Sequence, residues 1–129
     1  MCQSWANCDS QKLNFVRDNL AAVGTSLAAL HLPLLNTVGG MLSVKQNNRL
    51  AELYAPELPG VGLNLDVRDN NKLVAIDLSK LVYVGRSIIV RGNRKLRTLK
   101  TPKTTIYHDG SNTWLNLPNG LKWHIVYHV

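Results

Sequence analysis

Positively charged side chains recur at a fixed interval through this chain of 129 residues. Guanidinium and ammonium groups bind carboxylate, sulfate and phosphate oxygens. If each interval is one turn of a regular structure, the recurring cations lie side by side and suit an anionic polymer. Two sets repeat with the same constant step, and together we call them the basic stripe: Lys45, Arg68 and Arg91, and then Arg49, Lys72 and Lys95. Further cations extend the stripe toward the C-terminus: Arg94, Arg97, Lys100 and Lys103.

The overall charge agrees with an anionic partner but does not require one. The chain holds 15 Lys and Arg against 8 Asp and Glu, for a net charge of +7. This balance favours nucleic acid, acidic glycans or anionic lipid as partners. It also aids solubility, so the stripe can equally be an ordinary solvated face. Few aromatic residues interleave with the stripe, which argues against the stacking of nucleobases.

Residues that could carry catalysis or bind a metal form no convincing site. His124 and His128 fall about 13 Å apart on an extended strand, too far to share one metal ion. Carboxylates from adjacent repeats could form a glycosidase pair, but the neighbouring cations indicate ordinary ion pairs. These carboxylates are Glu52, Glu57, Asp66, Asp69 and Asp77. No nucleophile motif or phosphate-binding loop is present, so we predict that the protein is not an enzyme and takes no metal or cofactor.

Cys2 and Cys8 are the only cysteines of the chain. A small disulfide loop between them would close the N-terminal region and place the protein in an oxidising compartment. Two free thiols in a reducing compartment are the alternative, and the sequence does not decide between them. A membrane span needs about 20 apolar residues, and no stretch of the chain approaches that length.

The constant step of the cations also joins apolar positions, which makes it a structural repeat. Val38, Val61 and Val84 are each followed by a glycine, which fits a turn with positive φ. A period of about 23 residues is typical of a solenoid in which each repeat is one coil. We therefore predict a mainly β, leucine-rich β-solenoid of about three to four coils. The other recurring positions are Leu42, Leu65 and Ile88; Val44, Val67 and Val90; Leu50, Leu73 and Leu96; and Leu53, Ile76 and Leu99.

The pattern inside each repeat predicts which side chains face the core. In the phrase Leu-x-Val the alternation is that of a strand, with Leu42 and Val44 inward and Ser43 and Lys45 outward. An asparagine then recurs where each strand ends. We expect its side chain to hydrogen-bond to the backbone of a neighbouring coil. This asparagine column is Asn47, Asn70 and Asn93.

The chain before the repeats is predicted to be an N-terminal cap over residues 1–22. Leu13, Val16 and Leu20 within it have the spacing of a short helix. Such a cap is expected because an open coil would expose the core of a solenoid. The coils then occupy residues 23–104.

The chain after the repeats is predicted to be a C-terminal cap over residues 105–129. Asp109-Gly110 and Asn119-Gly120 are strong signals for hairpin turns. Alternation of apolar and polar residues over Leu121–Val129 indicates a strand. We therefore predict a three-stranded meander that covers the last coil.

The best-preserved copy of the repeat reads LNTVGGMLSVKQNNRLAELYAPEL over residues 35–58. With the copies over 58–81 and 81–102, this phrase resembles the receptor L-domain type of leucine-rich repeat. The resemblance covers about 80 of the 129 residues. It implies a right-handed β-helical solenoid with an extracellular or cell-surface role in binding. It carries no ligand-binding residue over to this chain.

These features together predict a single-domain recognition module that binds a protein or an anionic glycan through the basic stripe. A structural subunit that self-assembles is the alternative, with Tyr54, Leu63 and Ile89 as candidate contact residues. Nucleic-acid binding is a third, minor hypothesis. The expected location is extracellular or at the cell surface, although the N-terminus does not read as a signal peptide.

Overall fold

The computed structural model of the protein describes residues 10–86 and 88–100, together with the backbone of residues 105–107. Every regular element in this part of the chain is a β-strand. The strands pair in parallel from coil to coil and form a solenoid of about four coils. Paired positions in the later coils are separated by one full repeat, as Leu42 and Leu65 are. The predicted β-solenoid is therefore confirmed.

Each coil contributes one strand to each of three sheets, which we call A, B and C. Sheet A comprises β1 (Phe15–Val16), β4 (Thr37–Val38), β7 (Gly60–Val61) and β10 (Tyr83–Val84). Sheet B comprises β2 (Leu20–Val23), β5 (Leu42–Lys45), β8 (Leu65–Arg68) and β11 (Ile88–Arg91). Sheet C comprises β3 (Ala29–His31), β6 (Glu52–Tyr54), β9 (Ala75–Asp77), β12 (Thr98–Lys100) and β13 (Thr105–Tyr107).

Repeated residues stack in columns that run along the solenoid. Val38 pairs with Val61 across neighbouring coils, and Leu42 pairs with Leu65. The inward columns meet in one apolar core, and burial of their side chains is the main source of stability. Four of these columns are Val16, Val38, Val61 and Val84; Leu42, Leu65 and Ile88; Val44, Val67 and Val90; and Leu30, Leu53, Ile76 and Leu99.

The predicted helix near the N-terminus is wrong. Strands β1 and β2 pair in parallel with β4 and β5, so they belong to a first coil that begins before residue 23. Val16 and Leu20 occupy the inward positions of Val38 and Leu42 in the next coil. The separation of four residues is the distance across the corner between sheets A and B, and every later coil repeats it.

The first coil is one residue shorter than the others, so its strands β1 and β2 do not fall on the constant step of the later coils. Val16 pairs with Val38, and Leu30 pairs with Leu53. The sequence separation of the second pair is therefore one residue longer than that of the first. The shortening lies at the corner after β2. There the Thr25 hydroxyl accepts a hydrogen bond from the backbone amide of Leu27 at 3.3 Å.

Within the described residues, sheet C changes from parallel to antiparallel pairing after β12, because β13 pairs with β12 in the antiparallel direction. Thr98 lies opposite Tyr107, and Lys100 lies opposite Thr105. Strand β13 thus begins where the sequence places the start of the C-terminal meander. The other two strands of the predicted meander lie outside the described residues.

The glycines that follow the core valines are required by close stacking. Among the described glycines, positive φ angles occur at Gly24 and Gly92 and not at Gly62, so the predicted turn with positive φ is wrong. A Cβ atom on Gly62 would lie 1.9 Å from the carbonyl oxygen of Gly39. One on Gly85 would lie 1.9 Å from the carbonyl oxygen of Gly62. The coils approach so closely at this corner that no side chain fits between them.

Buried asparagine side chains join the coils at the corner after sheet B. The Asn70 amide group donates to the Val44 carbonyl at 3.0 Å and to the Asn93 side-chain oxygen at 2.9 Å. The Asn70 oxygen accepts from the backbone and side-chain amides of Asn47, at 3.1 and 3.0 Å. Asn47 in turn donates to the carbonyl of Ala22 at 2.9 Å. The predicted hydrogen bonds between this column and the neighbouring coils are confirmed, and we call the column the asparagine ladder.

Replacing Asn70 with Ala is expected to lower the free energy of unfolding by about 3 kcal/mol or more. The change leaves the buried Val44 carbonyl and Asn47 amide without their partners, and each such loss costs about 1–3 kcal/mol. Urea denaturation followed by circular dichroism measures the difference. Asn71→Ala is the matched control, because Asn71 is exposed in the same turn and should change stability by less than about 0.5 kcal/mol. Similar small losses in both variants would show that the ladder does not hold the coils together.

Replacing Gly62 with Ala is expected to lower the free energy of unfolding by more than about 4 kcal/mol, because the new methyl group overlaps the carbonyl of Gly39. The control is Gly24→Ala, where a Cβ atom would meet nothing within 4 Å and only the φ of 64° opposes the change. That backbone conformation costs about 1–2 kcal/mol. Thermal unfolding of both variants measures the difference. Equal losses would contradict the close-stacking explanation.

Candidate anion-binding surface

The outer face of sheet B carries the first set of the basic stripe. Lys45, Arg68 and Arg91 occupy consecutive coils in direct register, as their common step predicts. Lys45 and Arg68 are half-buried, whereas Arg91 is exposed. The repeat therefore does bring like charges together at the spacing between strands, about 4.8 Å.

Asp66 neutralises part of this column. One of its carboxylate oxygens lies 3.1 Å from the Lys45 Nζ, and the other accepts a hydrogen bond from the Arg68 Nε at 2.7 Å. The Asp66 side chain is only 4% exposed. Strand alternation places Asp66 on the outer face, which is correct, but alternation does not reveal that its neighbours bury it. Such pairing holds the ends of Lys45 and Arg68 and lowers their attraction for an external anion.

The second set of the stripe lies at the corner beyond the asparagine ladder. Arg49, Lys72 and Lys95 are all exposed there. In the part of the chain that the structure describes, none of the three forms an ion pair. Exposed Asn48 and Asn71 lie beside them in the same turns. This column is therefore freer to bind an anion than the column on sheet B.

The positive charge is concentrated in the last parallel coil. Residues 88–100 contain five cations and no carboxylate, whereas residues 65–77 contain two cations and three carboxylates. The exposed cations of the last coil run from the end of β11 around the corner toward β12. With the cations beneath them they form a surface that we call the basic corner: Arg49, Lys72, Arg91, Arg94, Lys95 and Arg97.

Three of the other carboxylates have hydrogen-bond or ion-pair partners among the described residues. Glu57 pairs with Lys80, and Glu52 lies 3.0 Å from the Nε2 atom of His31. Asp77 accepts hydrogen bonds from the turn that follows β9. No group of three or more His, Cys, Asp or Glu residues within the described ranges is arranged to hold a metal ion.

Several residues that the sequence singles out lie outside the described residues. These are Cys2, Cys8, Lys103, His124 and His128. Among the candidate contacts for self-association, Leu63 is exposed, whereas Tyr54 and Ile89 are half-buried.

Comparison with known proteins identifies no relative. No protein-family model matches the chain, and no curated protein or solved structure is significantly similar to it. The resemblance to receptor L-domain repeats therefore stays a prediction. A search of the described residues for a helix that is long and apolar enough to cross a membrane finds none.

Replacing Asp66 with Asn is expected to strengthen binding to heparin, because it releases Lys45 and Arg68 from their shared carboxylate. The variant should elute from a heparin column at higher salt than the parent protein. It should also lose about 1 kcal/mol of stability, since two half-exposed cations lose their partner. Asp18→Asn is the control, because Asp18 is exposed in the first coil and its replacement changes the net charge equally. Equal elution of the two variants would mean that Asp66 does not restrain the column.

Proposed function

We propose that this solenoid is a non-enzymatic recognition module that binds a linear anionic glycan along its basic corner. The observation that carries the proposal is the accumulation of five cations and no carboxylate in residues 88–100. Four of them, Arg91, Arg94, Lys95 and Arg97, are exposed and lack an ion pair with any described residue. The electrostatic attraction of such a surface acts on anions of any class, so selection among them depends on the neighbouring side chains.

The repulsion within the basic corner favours an anionic ligand. Two like charges one coil apart repel by about 0.9 kcal/mol in water at the strand spacing of about 4.8 Å. A bound anion between them replaces this repulsion with attraction to both. Arginine predominates among the exposed cations of the last coil, and its planar guanidinium binds carboxylate and sulfate groups through two parallel hydrogen bonds.

The surroundings of the cations support a glycan over nucleic acid. Asn48 and Asn71 are exposed beside the corner, and their amide groups can bond to sugar hydroxyls. The corner contains no aromatic residue, so it provides no surface for base stacking. Cations on successive coils can contact successive acidic groups of a chain that lies along the solenoid axis.

The shape of the corner supports binding without catalysis. Its cations project from exposed turns, and a ligand there remains in contact with water on its outer side. Catalytic sites usually exclude water so that electrostatic interactions act at full strength. Because acidic glycans coat cell surfaces and fill extracellular matrices, the proposal includes an extracellular or cell-surface location.

Replacing Arg94, Lys95 and Arg97 together with Ser is expected to weaken binding to heparin strongly. Loss of three anion contacts should lower the slope of log K against log salt concentration by about two to three. Isothermal titration of heparin at several salt concentrations measures both the affinity and the slope.

Two other triple variants separate the basic corner from its alternatives. Lys45, Arg68 and Arg91 changed to Ser should have a smaller effect, because Asp66 already occupies two of these cations. The charge control changes three cations away from the corner, and it should lower affinity least: Arg17, Lys80 and Arg86. If all three variants lose affinity equally, net charge alone drives binding and the corner is not a site. Tighter binding of poly-glutamate than of heparin by the parent protein would indicate an acidic protein as the partner instead.

A further inference from the structure

Tyr83 forms an exposed aromatic surface on sheet A, which does not border the basic corner. The residue lies on the outer face of β10 and is 55% exposed. A Cβ atom on Gly60 would lie 3.0 Å from the Cδ1 atom of Tyr83, and one on Gly85 would lie 3.2 Å from its hydroxyl oxygen. The side chain therefore lies low over the sheet, in space that two glycines leave open.

A groove with a volume of about 340 Å³ runs beside the Tyr83 ring. This volume is within the range of small-ligand sites. The groove is mostly apolar, and Val82, Pro59 and Gly60 contribute to its walls. Asn36 and Thr37 add polar groups, and the Thr37 hydroxyl donates a hydrogen bond to the Asn36 side-chain oxygen at 3.0 Å. None of the residues that line the groove is charged.

We propose that this groove is a second binding site, which holds a neutral sugar ring stacked on Tyr83. A pyranose ring has an apolar face of C–H groups and a rim of hydroxyls. The apolar face can pack on the electron-rich face of the tyrosine. The rim can exchange hydrogen bonds with the amide of Asn36 and the hydroxyl of Thr37. A wholly apolar partner would bury those two groups without a new partner, which is unfavourable.

The lack of charge in the groove and the position of Phe15 on sheet A indicate the charge and the length of the ligand. Since the groove lacks charged residues, it gives no advantage to the anions that the basic corner attracts. Phe15 lies in the same outward column as Tyr83, three coils away, and is 60% exposed. Three strand spacings separate the two residues by about 14 Å. A ligand that contacts both aromatic rings must be an oligosaccharide, so the site favours a neutral glycan chain over a single sugar.

The test titrates neutral hexaoses, namely cellohexaose, laminarihexaose, maltohexaose and chitohexaose, into protein labelled with ¹³C in its tyrosine rings. At least one hexaose should shift the Tyr83 signal in a saturable way, and the Tyr83→Phe variant identifies that signal. Isothermal titration should then show that Tyr83→Ala weakens binding of this hexaose by about tenfold, because the stacking surface is lost. Tyr83→Phe should stay within about threefold of the parent. Phe15→Ala should weaken binding of the hexaose and leave the affinity for the matching disaccharide unchanged.

The variant with Arg94, Lys95 and Arg97 changed to Ser is the control that separates this site from the basic corner. It should bind the hexaose as the parent does, whatever its affinity for heparin. Thermal unfolding of Tyr83→Ala checks that the fold persists, as the exposure of the residue predicts. Failure of every hexaose to shift the Tyr83 signal would overturn the proposal, as would equal binding by Tyr83→Ala. A Tyr83 shift caused only by a proline-rich peptide, or by raising the protein concentration alone, would overturn it in favour of a peptide or self-association surface.

Discussion

The close stacking of coils at two corners is the constraint on which the rest of this structure depends. At one corner the backbone of Gly62 lies so near that of Gly39 that a Cβ atom has no room. At the other, the buried Asn70 side chain hydrogen-bonds to the coils on both sides. Both contacts are satisfied only when the coils stack in register. A slip by one residue would turn the apolar face of each strand outward, so the core enforces the same register.

Register then determines where charge is placed on the surface. Because each residue lies beside its equivalents in neighbouring coils, a cation that recurs in sequence becomes a column of cations in space. The columns differ in their partners. Asp66 holds Lys45 and Arg68 on the face of sheet B, whereas residues 88–100 contain no carboxylate. In the described part of the solenoid, positive charge is therefore concentrated in residues 88–100 rather than spread evenly along one face, and the strands of sheet A contain no charged residue.

Much of the architecture can be predicted from this sequence, because the same residue types recur at equivalent positions of successive coils. The strands of sheet B, the inward columns and the hydrogen bonds of Asn70 follow from the repeated pattern, whereas the strands that the coils contribute to sheets A and C are not predicted from it. Strands β1 and β2 of the first coil are missed because the step from Val16 to Val38 is one residue shorter than the step between later coils. The role of Gly62 is missed because close approach and positive φ both require glycine. The burial of Asp66 depends on how two long neighbouring side chains fold over it, which spacing does not encode. The groove at Tyr83 is missed because Tyr83 and its neighbour Gly60 occupy equivalent positions without sharing a residue type, so the repeat does not mark them.

The most direct test of the central claim, that the basic corner is the site for an anionic glycan, is a heteronuclear NMR titration of ¹⁵N-labelled protein with a heparin-derived hexasaccharide at low salt. The largest shift changes are expected at backbone amides of residues 91–97, with smaller ones at residues 48–49 and 71–72. Residues 43–45 on the face of sheet B should respond weakly. Changes centred on residues 43–45 and 66–68, or on sheet A, with the last coil unaffected, would contradict the account, and so would the absence of any saturable change.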